Sequence, residues 1–242
     1  MSKTTILKNG TIITASDTFK ADILIENEKI LAIGSQLNAA DAEIIDAAGK
    51  LILPGGIDPH VHLALEMFDT ISSDDHYTGH KAAAFGGTTT VMDFIVQEPQ
   101  GLAHSVELWR RKAEIAAIDY GFHMNITHFD EKVAAEIPVL LDEGITTLKV
   151  FTAYNGRLRL QDDEIFQVMR IAKEHGMLTM LHAENGDVID VLVAEALAAG
   201  HTSPEWHAYT RPAWGAVESV LRACSLAAQA DAPLYIVHMN TA

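Results

Sequence analysis

The 242-residue chain is poor in cysteine, in basic residues and in long apolar runs, and each shortage removes a class of protein. A single cysteine, Cys224, excludes an intrachain disulfide framework and fits a reducing compartment. Its place in a helical segment predicts a small buried residue and not a nucleophile. Lys plus Arg number 17 against 33 Asp plus Glu, a formal net charge of −16. Phosphate binding needs clustered cations, so nucleic acid and anionic membranes are not expected as partners. The acidity reads as a device for solubility. No run approaches membrane-spanning length, and residues 1–5 lack the apolar core of a secretion signal. A soluble, cytoplasmic protein is expected.

What remains is ordinary globular material, 48% hydrophobic and 21% charged, so the chain is expected to fold. Residues 1–53 read as a small β domain, the N-terminal part of a β-sandwich. Thr4–Leu7 and Thr11–Thr14 flank Asn9-Gly10, a two-residue hairpin signal. Ile23–Glu26 and Lys29–Ile33 flank Asn27-Glu28, and Glu43–Asp46 precedes a turn at Gly49-Lys50.

From residue 54 to 242 the pattern changes to strands alternating with helices, which predicts an α/β domain with a parallel sheet. Strand-like runs fall at Gly56–Leu63, Thr88–Phe94, Tyr120–Ile126, Thr147–Phe151, Met177–His182 and Leu234–His238. Helical segments lie between them, with Gly144, Gly176 and Gly200 where helices should stop. A (β/α)8 barrel needs roughly 250 residues. The six strand–helix steps here are therefore expected to be the front of such a TIM-type barrel, truncated at the C-terminal side.

The chemistry concentrates at strand ends. His60 and His62 are two apart on a strand, so their side chains share one face. Alone, a His-x-His pair among twelve histidines is weak evidence, and core packing is the competing reading. Lys149 is sharper, because it lies inside the apolar strand Leu148-Lys149-Val150-Phe151, where an ammonium group is costly to bury. It either snorkels to a surface or acid partner, or loses its charge and reacts with CO2 to give a carbamate able to bridge two metal ions. His182 ends the fifth run and His238 the sixth, each after apolar residues, which also suits a satisfied core histidine. Neutral imidazoles and carboxylate-like oxygens are typical zinc ligands, and barrel enzymes gather their sites at strand C-termini. His123 and His128 are candidates for supporting groups behind such ligands.

Five longer segments carry a specific resemblance. They are Gly55-Gly56-Ile57-Asp58-Pro59-His60-Val61-His62-Leu63, Ala84-Phe85-Gly86-Gly87-Thr88-Thr89-Thr90, Asp119-Tyr120-Gly121-Phe122-His123, Leu148-Lys149-Val150-Phe151 with Tyr154, and His182-Ala183-Glu184-Asn185-Gly186-Asp187. In this order they resemble the dihydropyrimidinase/D-hydantoinase family of the amidohydrolases, across essentially the whole chain. The resemblance implies a metal-dependent barrel beside a small β-sandwich. It also implies a cyclic amidase of pyrimidine catabolism that opens dihydropyrimidines and 5-substituted hydantoins to N-carbamoyl amino acids.

Carried over by match, His60 and His62 bind the more buried of two zinc ions and His182 and His238 the other, with N6-carboxylated Lys149 bridging them. Tyr154 matches the tyrosine that holds the substrate carbonyl and the developing oxyanion. The general acid/base of the family is an aspartate at the end of strand eight, expected here beyond residue 242, and neither Asp58 nor Asp187 matches it. The loop Ala64-Leu65-Glu66-Met67-Phe68, with Phe151, is a candidate apolar wall over the substrate ring, with Leu65 and Phe151 singled out. A homotetramer is implied for the full-length form; the chain alone is not expected to close its barrel.

Three relatives compete. Dihydroorotases usually place an arginine shortly after the histidine pair, where this chain has Leu63-Ala64-Leu65. Allantoinases share the ligand set. The collapsin response mediator group keeps the fold as a non-enzymatic scaffold but has lost metal ligands, whereas all five expected in this span are present.

Overall fold

Period-two alternation of apolar residues builds both sheets of the computed structural model, which describes residues 3–67, 69–239 and 241. The chain divides into two units with the boundary between Gly56 and Ile57. In the first, β1 (Thr4–Ile13), β2 (Thr18–Glu26), β3 (Lys29–Gly34), β4 (Glu43–Asp46) and β5 (Leu51–Ile52) form one five-stranded sheet. Its order is β3-β2-β1-β4, with β5 also on β1. Ile6, Ile12 and Ile23 are buried, while Ile30, Leu31, Ile44 and Leu51 face solvent.

Two expectations divide here. Asn27 and Glu28 both take positive φ, 47° and 66°, and close the tight hairpin between β2 and β3 as expected. The hairpin expected at Asn9-Gly10 does not form. β1 runs through it, and the register against β2 shifts between Leu7 and Gly10. Asn9 still adopts a left-handed φ of 64°, but uses it for a bulge. Its N–H donates to Asp22 Oδ1 at 3.0 Å and its side chain to Asp46 Oδ1 at 2.9 Å, so two acids hold the kink in place. Gly10 completes it, since a Cβ there would lie 2.3 Å from Ile52 Cδ1.

The second unit begins with β6 (Gly56–Val61), whose first residue is the last of the first unit. A short hairpin of β7 (Glu66–Met67) and β8 (Thr70–Ile71) follows, occupying the segment read as a loop. Then come α1 (Thr78–Phe85), β9 (Thr88–Ile95), α2 (Leu102–Lys112), β10 (Asp119–Asn125), α3 (Glu131–Glu136), β11 (Thr147–Phe151) and α4 (Asp162–Glu174). The remainder is β12 (Leu178–His182), α5 (Gly186–Ala198), α6 (Trp206–Tyr209), α7 (Ala213–Ala230) and β13 (Leu234–Ile236).

Six strands lie side by side in chain order, β6-β9-β10-β11-β12-β13, and the four pairings from β9 to β13 are parallel. Strictly sequential parallel strands with helical crossovers are the arrangement of a barrel wall. Among the described residues, no helix is long and apolar enough to cross a membrane.

Alternation along the strands separates two faces. On β11, Leu148 and Val150 join the large core with Ile165, Val168 and Met169 of α4, while Lys149 and Phe151 point to the other face. On β12, Leu181 joins that core, whereas Met180 clusters with Phe94 and Val237. The register aligns Lys149 with Met180 and Phe151 with His182. Helix starts are capped locally: Asp130 accepts from Val133 N–H at 2.8 Å, and Asn185 from Val188 N–H at 3.1 Å. Cys224 is exposed, against the expectation of burial. Helix α7 buries Ser219, Ala223 and Ala227 on one stripe, and position 224 is turned about 100° away from it.

Candidate active site

The face opposite the large core carries the site. Its floor is Phe94, fully buried at the end of β9. The His60 ring lies 4.4 Å from the Phe94 centroid, His62 4.9 Å and His123 4.7 Å. Lys149 Nζ sits 4.6 Å from the same ring and 5.1 Å from that of Phe151.

The four strand-end histidines form a chain of neighbours. Ring centroids are 5.2 Å apart for His60 and His62, 5.4 Å for His60 and His238, and 4.9 Å for His182 and His238. His182 Nδ1 approaches His238 Nε2 to 3.2 Å. The structure thus brings His60, His62, Lys149, His182 and His238 into one patch. His238 reaches it differently from expectation. β13 stops at Ile236, and His238 follows in a left-handed turn with φ 32°, instead of ending the strand. Val237 N–H still bonds Leu181 O at 3.2 Å, which keeps the turn against β12.

Burial and mutual repulsion lower the basicity of His60, His62 and His238. His60 is pushed down to about 3 by burial, then by the charge of Lys149 and the neighbouring histidines. His238 is lowered by burial and by His182. Lys149, 1% exposed, is lowered to about 8 by burial alone. Among the described residues it has no acidic partner, so the snorkelling and ion-pair alternatives both fail. A lysine amine near pH 8 is a nucleophile much of the time under mildly alkaline conditions.

Tyr154 stands at the rim with a positive φ of 67°, its ring 5.1 Å from that of His182 and 6.2 Å from that of Phe151. Burial raises its hydroxyl pKa, and the negative charge of Glu184 adds to this, so it remains a donor at neutral pH. A cavity of about 430 Å³ lies here, lined by Tyr154, His182, Glu184, His207, Arg211 and His238 among others. Phe151 is buried beneath the site and is not part of that lining. Leu65 is also absent from it; its N–H donates to Ser72 Oγ at 2.9 Å. Phe68 lies outside the described residues.

His123 supports the patch from below, with Nε2 3.0 Å from Pro59 O and Nδ1 bonded to Thr147 Oγ1, so both nitrogens are engaged. His128 does not join it, being exposed and paired with Asp130 at 3.3 Å. Three groups at the site were not singled out from sequence. Phe94 reads there as one more apolar strand residue. Glu184 lies in the His182–Asp187 segment that carries the resemblance but has no role assigned there, and Thr152 carries no pattern of its own. Among the described residues, no three or more His, Cys, Asp or Glu side chains stand together in metal-holding geometry. The four histidines meet as pairs, and the fifth member of the patch is a lysine.

The sequential parallel sheet is the wall of a (β/α) barrel, with paired histidines and a desolvated lysine at its strand ends. The chain belongs to the amidohydrolase family, which matches residues 51–233. It is 47% identical over 242 residues to a D-hydantoinase of Geobacillus stearothermophilus, covering 99% of this chain and 51% of that protein. A dihydropyrimidinase of Arabidopsis thaliana is 40% identical over 236 residues, covering 97% of this chain and 44% of that protein. The crystal structure of a dihydropyrimidinase from Brevibacillus agri NCHU1002 superposes with a TM-score of 0.94 at 49% identity, covering 98% of this chain and 52% of that one. The chain spans about half the length of the curated relatives it matches.

Proposed function

We propose that the chain supplies the metal-ligand wall of a binuclear zinc cyclic amidase. Its substrates in this reading are dihydropyrimidines and 5-substituted hydantoins, opened at the ring amide to N-carbamoyl amino acids. One observation carries the reading: Lys149 is buried among four histidines, with no acid partner among the described residues. None of the five residues His60, His62, Lys149, His182 and His238 is a carboxylate, and an ammonium group cannot ligate a cation. A carbamate on Nζ would supply two oxygens in its place.

The residues present fit two zinc ions. His60 with His62 and His182 with His238 would each hold one, and carboxylated Lys149 would join them. When bound, the pair supplies a water of lowered pKa and a Lewis acid for the amide carbonyl. The chain's own residues account for the rest. Burial holds His60 down to about 3 and lowers the basicity of His238, which favours the neutral form that a ligand needs. Tyr154 donates its hydroxyl hydrogen to the carbonyl oxygen as negative charge grows there. The cavity beside it, about 430 Å³, is large enough for a five- or six-membered ring. The assembly proposed is a cytoplasmic homotetramer.

Elemental mass spectrometry of protein purified with zinc and 13C-bicarbonate tests the reading. Close to two zinc ions per chain and a carbamate carbon resonance, both lost in Lys149→Ala, are expected. A folded chain with no zinc and no carbamate signal would sink it.

A further inference from the structure

Beyond the ligands themselves, His182 has a partner to which the sequence reading gives no role. Its Nε2 lies 2.7 Å from Glu184 Oε2. An ionised carboxylate only accepts, so this nitrogen carries a hydrogen. A neutral imidazole has one N–H, which leaves Nδ1 with its lone pair free. That lone pair faces His238 Nε2 at 3.2 Å. Two nitrogens bound at about 2.0–2.1 Å to one tetrahedral zinc stand about 3.3 Å apart. The pair therefore already has the spacing of donors to a shared cation, and before a cation binds a single proton on His238 Nε2 satisfies both.

We propose that Glu184 is a positioning residue, which locks His182 in the Nε2–H tautomer so that Nδ1 and His238 Nε2 form a ready donor pair. The proposal rests on the metal-site reading above and assigns Glu184 no contact with the cation. The carboxylate is itself held in place. Glu184 N–H donates to Thr152 Oγ1 at 3.1 Å, and the Thr152 hydroxyl lies 2.9 Å from the carbonyl oxygens of both His182 and Glu184. Thr152 is buried, so this clamp is shielded from water. On the far side, Glu184 Oε1 faces Arg211 Nε at 4.0 Å. Glu184 is thus fixed through its backbone on one side and balanced by a cation on the other. Its two oxygens have separate tasks: one orients the histidine and the other meets the arginine. Carboxylates behind metal-bound histidines act in this way, setting tautomer and ring orientation.

Histidine 15N spectra and zinc affinity by chelator competition, measured on the same chain, test the proposal. In the unsubstituted chain, His182 should show a protonated Nε2 and an unprotonated Nδ1. Glu184→Ala should lose that preference and weaken zinc binding about 10–100-fold. Glu184→Gln keeps an acceptor oxygen and should recover most of both, which a loss of folding would not. His182→Ala and Lys149→Ala serve as controls for the metal site. If these controls lose zinc while Glu184→Ala and Glu184→Gln keep its affinity and the His182 tautomer, the positioning role is overturned. If zinc uptake ignores the controls as well, the metal reading fails. The His182 tautomer in Glu184→Ala then still decides whether the carboxylate sets the ring.

Discussion

Lys149 Nζ rests 4.6 Å from the centre of the Phe94 ring, and Phe94 has no solvent exposure at all. The ring does two things to the amine. It removes water, which lowers the basicity of the lysine, and it offers only a weak cation–π contact in return. Phe94→Ala should admit water to Lys149 and cost about 3–5 kcal/mol of stability. Urea unfolding measures the cost. Carbamate formation from 13C-bicarbonate should fall in the same variant, because a rehydrated lysine is protonated at neutral pH.

Acid should weaken the metal-free fold through His60. Its pKa is about 3 when folded against an ordinary value of 6.5. Between those values the unfolded chain binds the extra proton, so stability falls as pH drops from about 6.5 towards 3 and is flat above. Lys149 acts at the other end: depressed from 10.5 to about 8, it adds stability as pH rises through that window. Thermal unfolding in a chelator across pH 4–10 should show both slopes. The acid slope should shrink in His60→Phe and the alkaline slope in Lys149→Met.

Tyr154→Phe separates binding of metal from chemistry. Its ring lies 5.1 Å from that of His182, and the substitution removes the hydroxyl while leaving that ring in place, so zinc content should be unchanged. Turnover in an assembled enzyme should drop about 10²–10³-fold if its hydroxyl stabilises the oxyanion. An unchanged kcat would remove Tyr154 from the proposed mechanism.

Gly186 sets the height of the loop that presents this tyrosine. A Cβ there would lie 2.8 Å from Ala153 Cα and 3.1 Å from Thr152 O. Both are backbone atoms and cannot swing aside. Gly186→Ala should therefore cost about 1–3 kcal/mol and shift Tyr154. Differential scanning calorimetry reads the first, and a raised KM the second.

The strand–helix alternation was legible because each strand is an apolar run with a glycine or polar break after it. Thr147–Phe151 is recovered to the residue, since Leu148 and Val150 face the large core on one side and Phe151 is buried on the other. Tight turns were less so. Asn9-Gly10 and Asn27-Glu28 offer similar local chemistry, yet only the second closes a hairpin. The difference lies in Asp22 and Asp46, two acids distant in sequence that capture Asn9. The site shows the same division. Residues with unusual chemistry for their setting, such as a lysine in an apolar strand, stand out in one dimension. Phe94, Thr152 and Glu184 matter through what they touch, and contact is invisible until the strands are aligned. His238 illustrates both, as its place in the patch was legible and its left-handed turn was not.

The register of β11 also limits what the gene can tolerate. Lys149 aligns with Met180, and the residues before and after it, Leu148 and Val150, sit at zero exposure in the opposite core. Deleting or inserting one codon within this strand would exchange the faces, sending the lysine into the helix layer and a leucine or valine into the site. Length variation in relatives should therefore accumulate in the connections and stop at the ends of this strand.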